Sequence, residues 1–393
     1  MKKAINILFL AAVALALCVG GFYTLQEDRA TLFYENRAVE PCPELSRAGL
    51  WSGTYFTQLD GFFSDCFAIR DDLIALDTRL DLALGRPVIH GVALGDGAIF
   101  PFHGYSTWDT GYLARDAQTM AGRLAQVRDL TAAYGGRIYY VGVPQQYSYY
   151  QDKYPDYLDN RQWVLSEIRA QFSAALEERG VPFIDMAQRF DQLGHPDEFY
   201  SPTDHHYTYW GALETYGTLM DRINADTGWD LPVTTQEDLE LVDLPNPFLG
   251  SQNRKLYGLW PTVETLTIGH LKKTIPFTRI DNGMNVEPSV YALPADSQEQ
   301  VTYFLYMGGD VAETVIQTGR PELPKCLIWG DSFTNAMETV LWTSFDETRS
   351  LDLRYYTAKT LSEYIAEYQP DVIICLRDDT AYLDLSGPNG DIS

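Results

Sequence analysis

A chain of 393 residues, 46% of them hydrophobic and 13% aromatic, is long enough for one large domain or two smaller ones around a sizeable core, and this composition excludes disorder. Its formal charge of −25 argues against a nucleic-acid partner, because phosphate binding needs a basic face; otherwise the acidity speaks to solubility and not to substrate. The five cysteines, Cys18, Cys42, Cys66, Cys326 and Cys375, have no metal-ligand spacing, and neither a metal nor a cofactor is expected.

Lys2 and Lys3 precede an apolar run over residues 4–25, broken by Asn6, which is about the length that spans a bilayer. The basic flank predicts a cytoplasmic start with the bulk of the chain outside. A cleaved signal peptide is the competing expectation. No clean small-x-small site follows the run, and Leu17 before Cys18 is too bulky for a lipoprotein signal, so an uncleaved anchor over 1–25 is favoured. Residues 26–47 are polar and read as a stalk. Over 48–84, Tyr55, Leu59, Phe62 and Phe63, then Leu73, Leu76, Leu80 and Leu84 recur at helical spacing and predict two helices; Arg70 between them is expected to pair with a carboxylate. Cys42 and Cys66 are the only cysteines in polar surroundings outside the anchor, and a disulfide between them stands as an alternative to two free thiols. Residues 91–102 read as strands broken by Gly95-Asp96-Gly97, a hairpin signal. His103 behind them reads as loop packing.

Met120, Leu124, Val127 and Leu130 predict a helix over 115–134 that stops at Gly135-Gly136, with an apolar strand at 138–143 behind it. A second helix carries Val164, Ile168, Phe172 and Leu176, ends at Gly180, and precedes a short strand at 182–185. Next comes Thr203-Asp204-His205-His206-Tyr207. In extended chain, side chains two apart point the same way, so Asp204 can accept from one nitrogen of His206, fix its tautomer, and leave the other nitrogen as a base. Leu213, Tyr216, Met220 and Ile223 predict a helix over 209–227 that positions this loop. From about 230 to 324 Pro and Gly become frequent, and short runs at 265–268 and 301–306 predict an inserted antiparallel region over one side of the site. The strand–helix alternation then resumes: strands at 325–329, 351–356 and 372–376, helices at 337–345 and 360–368. This pattern predicts an α/β fold, a parallel sheet with helices on both faces, whose ligands sit beyond the strand C-termini. Gln146 and Ser332 both fall at that edge. Ser332 stands in Gly330-Asp331-Ser332, where an apolar strand meets a helix-like run and backbone N–H groups are at hand for an oxyanion.

Glu35-Asn36-Arg37, Tyr55-Phe56, residues 65–70 and 92–100, Asp204-His205-His206 and Gly330-Asp331-Ser332 together resemble the DHHW family, relatives of the alginate O-acetylation proteins. One residue departs: Tyr207 stands where the family name implies Trp. The resemblance implies an SGNH hydrolase-like domain over 48–386, with residues 387–393 as a flexible tail. It also implies Ser332 as nucleophile, His206 as base and Asp204 as its orienter, in a chain order that differs from ordinary SGNH esterases but not in the geometry a triad requires. Gln146, His205, Tyr207, Phe333 and Arg377 are candidates for substrate or oxyanion contacts. The expected function is extracytoplasmic O-acetyl transfer to, or removal from, a cell-surface polysaccharide, with a membrane-embedded partner delivering acetyl groups. Two alternatives remain: a non-catalytic carbohydrate-binding or assembly factor on the same scaffold, and a metal-dependent phosphoesterase, since Asp-His-His also occurs there. Residues 197–202, which precede Asp204, are not the apolar strand the phosphoesterase reading needs.

Overall fold

The computed structural model describes residues 2–24, 29–104, 109–387 and 392; residues 25–28, where the anchor was expected to meet the stalk, and most of the expected tail lie outside the described residues. Two compact units are distinguished: residues 1–90 with 253–261, and residues 91–252 with 262–393.

In the first unit a helix runs Lys2–Thr24, and from Lys3 to Thr24 it is long and apolar enough to cross a membrane. Its large apolar side chains, Ile7, Leu8 and Phe9 among them, are exposed, which suits a segment whose solvent is lipid. Three helices follow where two were expected: Arg47–Ser52, Thr54–Asp65 and Arg70–Ala83. The additional break falls at Gly53, whose φ of 82° is a conformation open to glycine at little cost. Arg37 grips the Asp65 carboxylate with two 2.6 Å bonds, and those bonds hold that carboxyl below its usual range. Arg70 pairs with Glu35, a carboxylate partner as anticipated. Cys42 is exposed and Cys66 buried, and no bond joins them, so the disulfide alternative is not formed.

The second unit opens with the hairpin Val92–Leu94 and Ile99–Pro101, antiparallel with Val92 opposite Pro101. Its centre is an eight-stranded sheet. We number the strands β1 Arg137–Val143, β2 Phe183–Asp185, β3 Thr278–Asp281, β4 Met284–Val286, β5 Glu313–Gln317, β6 Lys325–Gly330, β7 Glu347–Leu351 and β8 Val372–Asp378, in the spatial order β4-β3-β5-β7-β6-β8-β1-β2. From β7 to β2 all neighbours are parallel; β3, β4 and β5 extend the sheet antiparallel. The strands β1, β6 and β8 are buried almost end to end, as continuous apolar runs covered on both faces must be. The helices of eight residues or more are α1 Leu113–Ala132, α2 Gln162–Arg179, α3 Tyr209–Thr227, α4 Thr334–Leu341 and α5 Leu361–Tyr368. α1 packs on α2 and α5, and α3 packs on α4, so two helix groups flank the sheet.

Three sequence expectations are corrected here. The strand expected at 351–356 lies at Glu347–Leu351, because its pairing with β5 and β6 outweighs the charge of Glu347 and Arg349. The run 301–306 is not a strand; Tyr303–Leu305 forms one 3-10 turn. The last strand continues through Asp378, which draws Arg377 into the interior at 4% exposure.

Candidate active site

β6 ends at Gly330, where an added Cβ would stand 1.9 Å from the Leu376 carbonyl oxygen of β8. Only glycine allows this close approach, and the chain then turns sharply through Asp331 and Ser332 into α4. Asp331 pins the turn on both sides. One carboxylate oxygen accepts from the Phe333 N–H at 3.0 Å, the other from the Asp378 N–H of β8 at 3.2 Å. Burial, and then the neighbouring Asp378, push the Asp331 carboxyl up; Arg377 and the two N–H groups act against that shift. Of the N–H groups at 332–335, those of Phe333, Thr334 and Asn335 are committed to Asp331 and Ser332.

His206 reaches this turn from the loop before α3. Its Nε2 lies 2.7 Å from Ser332 Oγ, and its Nδ1 lies 2.7 Å from Asp204 Oδ1. Asp204 is 2% exposed. Its Oδ1 also accepts the His206 N–H at 3.0 Å, and its Oδ2 accepts the Ser251 N–H at 2.6 Å. Burial alone would raise this carboxyl, but the charge and hydrogen bonds of His206, with His205 nearby, outweigh it and hold Asp204 well below the usual carboxylate range. With Nδ1–H donating to an ionised Asp204, Nε2 is left to accept from the serine hydroxyl.

The ring of His206 is sandwiched. Tyr303 stacks on it at 3.8 Å with only 4° between the planes, and Phe333 leans on it at 4.8 Å. Behind Asp204, Ser201 Oγ accepts the Asp204 N–H at 2.9 Å and itself donates to Glu264 at 2.5 Å; Thr203 and Thr262 donate to the same carboxylate. Burial raises Glu264, partly offset by those three hydroxyls. A fixed imidazole is the result, with rotamer, tautomer and ring plane all determined.

The further candidates separate by exposure. His205 stays partly exposed and bonds through Nδ1 to Ser251 Oγ at 2.6 Å. Phe333 and Tyr207 are each 1% exposed, and the Tyr207 hydroxyl donates to the Phe333 carbonyl. Gln146 is fully buried: its Nε2 donates to the Ser201 carbonyl at 2.9 Å and its N–H to the His205 carbonyl. Gln146, Tyr207, Phe333 and Arg377 are all buried, and the bonds of Gln146 and Tyr207 brace the loop that carries His206. Sequence reasoning missed Ser251, Tyr303 and Glu264. Tyr303 lay in a run read as strand, and nothing in the spacing of Ser251 or Glu264 marks them.

Asp204, His205 and His206 each offer a metal-ligand atom, all within 4.8 Å of one another. However, both Asp204 oxygens already accept N–H groups, His205 Nδ1 meets Ser251, and His206 Nε2 meets Ser332. The donor set is satisfied as a proton-transfer line, which is the arrangement that suits acyl chemistry.

Residues 100–244 match the family model of an SGNH hydrolase-like domain described as acetyltransferase AlgX. The likeness read from its motifs therefore stands, with Asp204, His205 and His206 inside the matched stretch. No curated protein matches the sequence. Among solved structures it is similar to Bacillus cereus PatB1, at 19% identity over 77% of this chain and 99% of that one with a TM-score of 0.64. PatB1 with a sulfonyl adduct is also similar, at 19% identity over 77% and 97% with a TM-score of 0.63. A DHHW family protein from Eubacterium siraeum DSM 15702 matches at 17% identity over 77% and 96%, TM-score 0.58. These likenesses establish the fold.

Proposed function

We infer that this chain, whose residues 100–244 match the model of an SGNH hydrolase-like domain, is an extracytoplasmic serine enzyme that moves acetyl groups onto or off the hydroxyls of a cell-surface polysaccharide. The observation that carries the reading is the unbroken line Asp204–His206–Ser332, two contacts of 2.7 Å each, at the C-terminal edge of β6. In it, Ser332 Oγ attacks the ester carbonyl while His206 Nε2 takes the hydroxyl proton. Asp204 stabilises the imidazolium that forms. The tetrahedral intermediate expels the alcohol, which leaves with the proton from His206, and an acetyl-serine remains. A sugar hydroxyl or water then repeats the sequence in reverse, its proton going to His206 as its oxygen takes the acetyl group. The Ser332 N–H, which makes no hydrogen bond among the described residues, is the oxyanion donor in this reading.

Two features support a polymeric acceptor outside the cell. Ser332 is half-buried just past the C-terminal end of β6, so its hydroxyl keeps some exposure for an acceptor chain. The apolar helix Lys3–Thr24, with Lys2 and Lys3 before its apolar core, supports an anchor with the catalytic unit outside, next to a membrane partner that supplies acetyl groups. The test is intact-mass and peptide-mapping spectrometry after incubation with p-nitrophenyl acetate. An acetyl adduct on Ser332, absent from Ser332→Ala, is expected; an adduct that forms equally in Ser332→Ala overturns the reading.

A further inference from the structure

A cavity of about 260 Å³ is walled by Asp204 and Tyr303, the two side chains that hold His206, although neither His206 nor Ser332 lines it. We propose that this cavity is a glycan subsite that takes one neutral or amino-sugar ring of the polymer and rejects a uronate, a proposal that deepens the polysaccharide reading above and rests on it.

Its walls divide into rings and acids. Trp210 and Phe248 are half-buried and Tyr306 is buried, so the wall holds three aromatic rings of the kind that stack on the C–H face of a pyranose. Glu198 and Asp243 supply carboxylates, while Glu264 in the same wall is already held by three hydroxyls. Asp243 spends Oδ1 on the Thr267 hydroxyl at 2.6 Å and has its other oxygen for a sugar hydroxyl. Carboxylates accept hydroxyl or ammonium protons strongly. They repel a sugar carboxylate, and no Lys or Arg stands among the described lining residues to offset them. A ring seated here also presses on Asp204 and Tyr303, so occupancy is felt at the imidazole they hold.

The experiment is titration calorimetry on the full chain in a zwitterionic detergent, with maltotetraose, the chitosan tetramer and tetramannuronate as probes. Maltotetraose and the chitosan tetramer are expected to bind, and tetramannuronate at least about tenfold more weakly for want of a cationic partner. Trp210→Ala should weaken the first two by about tenfold while Trp210→Phe, which keeps a ring, stays within about threefold, both variants unfolding at the wild-type temperature. The double variant Glu198→Gln with Asp243→Asn should narrow the gap to tetramannuronate. Equal or tighter binding of tetramannuronate by the wild type, no binding of any probe, or indifference to Trp210→Ala overturns the subsite. If Ser332 still forms its acetyl adduct in a protein that binds none of the probes, the subsite alone fails; if the probes bind but the adduct persists in Ser332→Ala, the catalytic reading alone fails.

Discussion

Asp204→Asn separates an orienting carboxylate from a packing residue, because the site gives the new amide no good orientation. Three N–H groups converge on the two oxygens: Nδ1 and the backbone N–H of His206 on Oδ1, and the Ser251 N–H on Oδ2. If the amide oxygen of asparagine takes the Oδ1 position, its NH2 meets the Ser251 N–H and leaves a buried donor unpaired, at about 1–3 kcal/mol of stability. If it takes the Oδ2 position, the NH2 donates to His206 Nδ1, the ring proton moves to Nε2, and Nε2 can no longer accept from Ser332. Either way turnover falls; in a triad with the wrong tautomer the loss is about a thousand- to ten-thousand-fold in kcat. The pH signature has a definite sign. Asp204 is held below its ordinary value in the fold, so its stabilising contribution is present above the unfolded value of about 3.9 and is lost as pH falls toward the lower folded one. The gap between wild type and Asp204→Asn in urea unfolding should be full at pH 7 and shrink below about pH 4. Hydrolysis of p-nitrophenyl acetate gives kcat. A variant within tenfold of wild type, with the same unfolding midpoint at pH 7, would refute the reasoning.

Gly330→Ala forces a Cβ against the Leu376 carbonyl at 1.9 Å, and since backbone cannot yield as a side chain does, about 3 kcal/mol or more should be lost; an unchanged thermal midpoint sinks this account of the turn. Burial, and then the Arg161 guanidinium, push His103 down to about 4. The unfolded chain therefore binds more protons between about pH 6.5 and pH 4, stability falls as pH drops through that window by about 2 kcal/mol after screening at the exposed edge, and His103→Phe should flatten the slope. Urea midpoints of the two proteins at pH 7.5 and 4.5 check it, and parallel slopes contradict it. Glu264→Gln weakens the charge-assisted bonds from Ser201, Thr203 and Thr262 that steady Asp204, so kcat for a small acetyl ester should drop roughly tenfold at constant KM. An effect confined to KM would assign Glu264 to binding instead.

What could be read from the sequence was what neighbouring residues decide among themselves. The apolar strands β1, β6 and β8 announce themselves by unbroken runs, and α3 matches its expected bounds of 209–227 because Thr208 caps it and Gly228 ends it. Asp204 and His206 face the same way through a two-residue spacing, and Ser332 follows a strand end, so all three were nameable. Ser251, Tyr303 and Glu264 act on them only because separate loops meet, which no local pattern encodes. The place of Arg377 was hidden for a related reason: a charge after an apolar run looks like an exit from the sheet. Here the strand carries it inside, close to Asp331 and Asp378.

The unusual chain order of the three residues follows from the sheet. In sequence its parallel strands are β1, β2, β6, β7 and β8, but in space they stand β7-β6-β8-β1-β2. Counted from β6, this is the order 2-1-3-4-5 of a doubly wound sheet, with its reversal between β6 and β8, and ligands bind outside the carboxyl ends of the strands at such a reversal. Ser332 leaves β6 at that crevice, and Asp378 at the end of β8 closes the other side on Asp331. The loop bearing Asp204 and His206 comes after β2, which is last in this count and early in the chain. The acid and base therefore precede the serine in sequence through connectivity alone, and a circular permutation that began the chain at β6 would restore the serine-first order without moving an atom of the site.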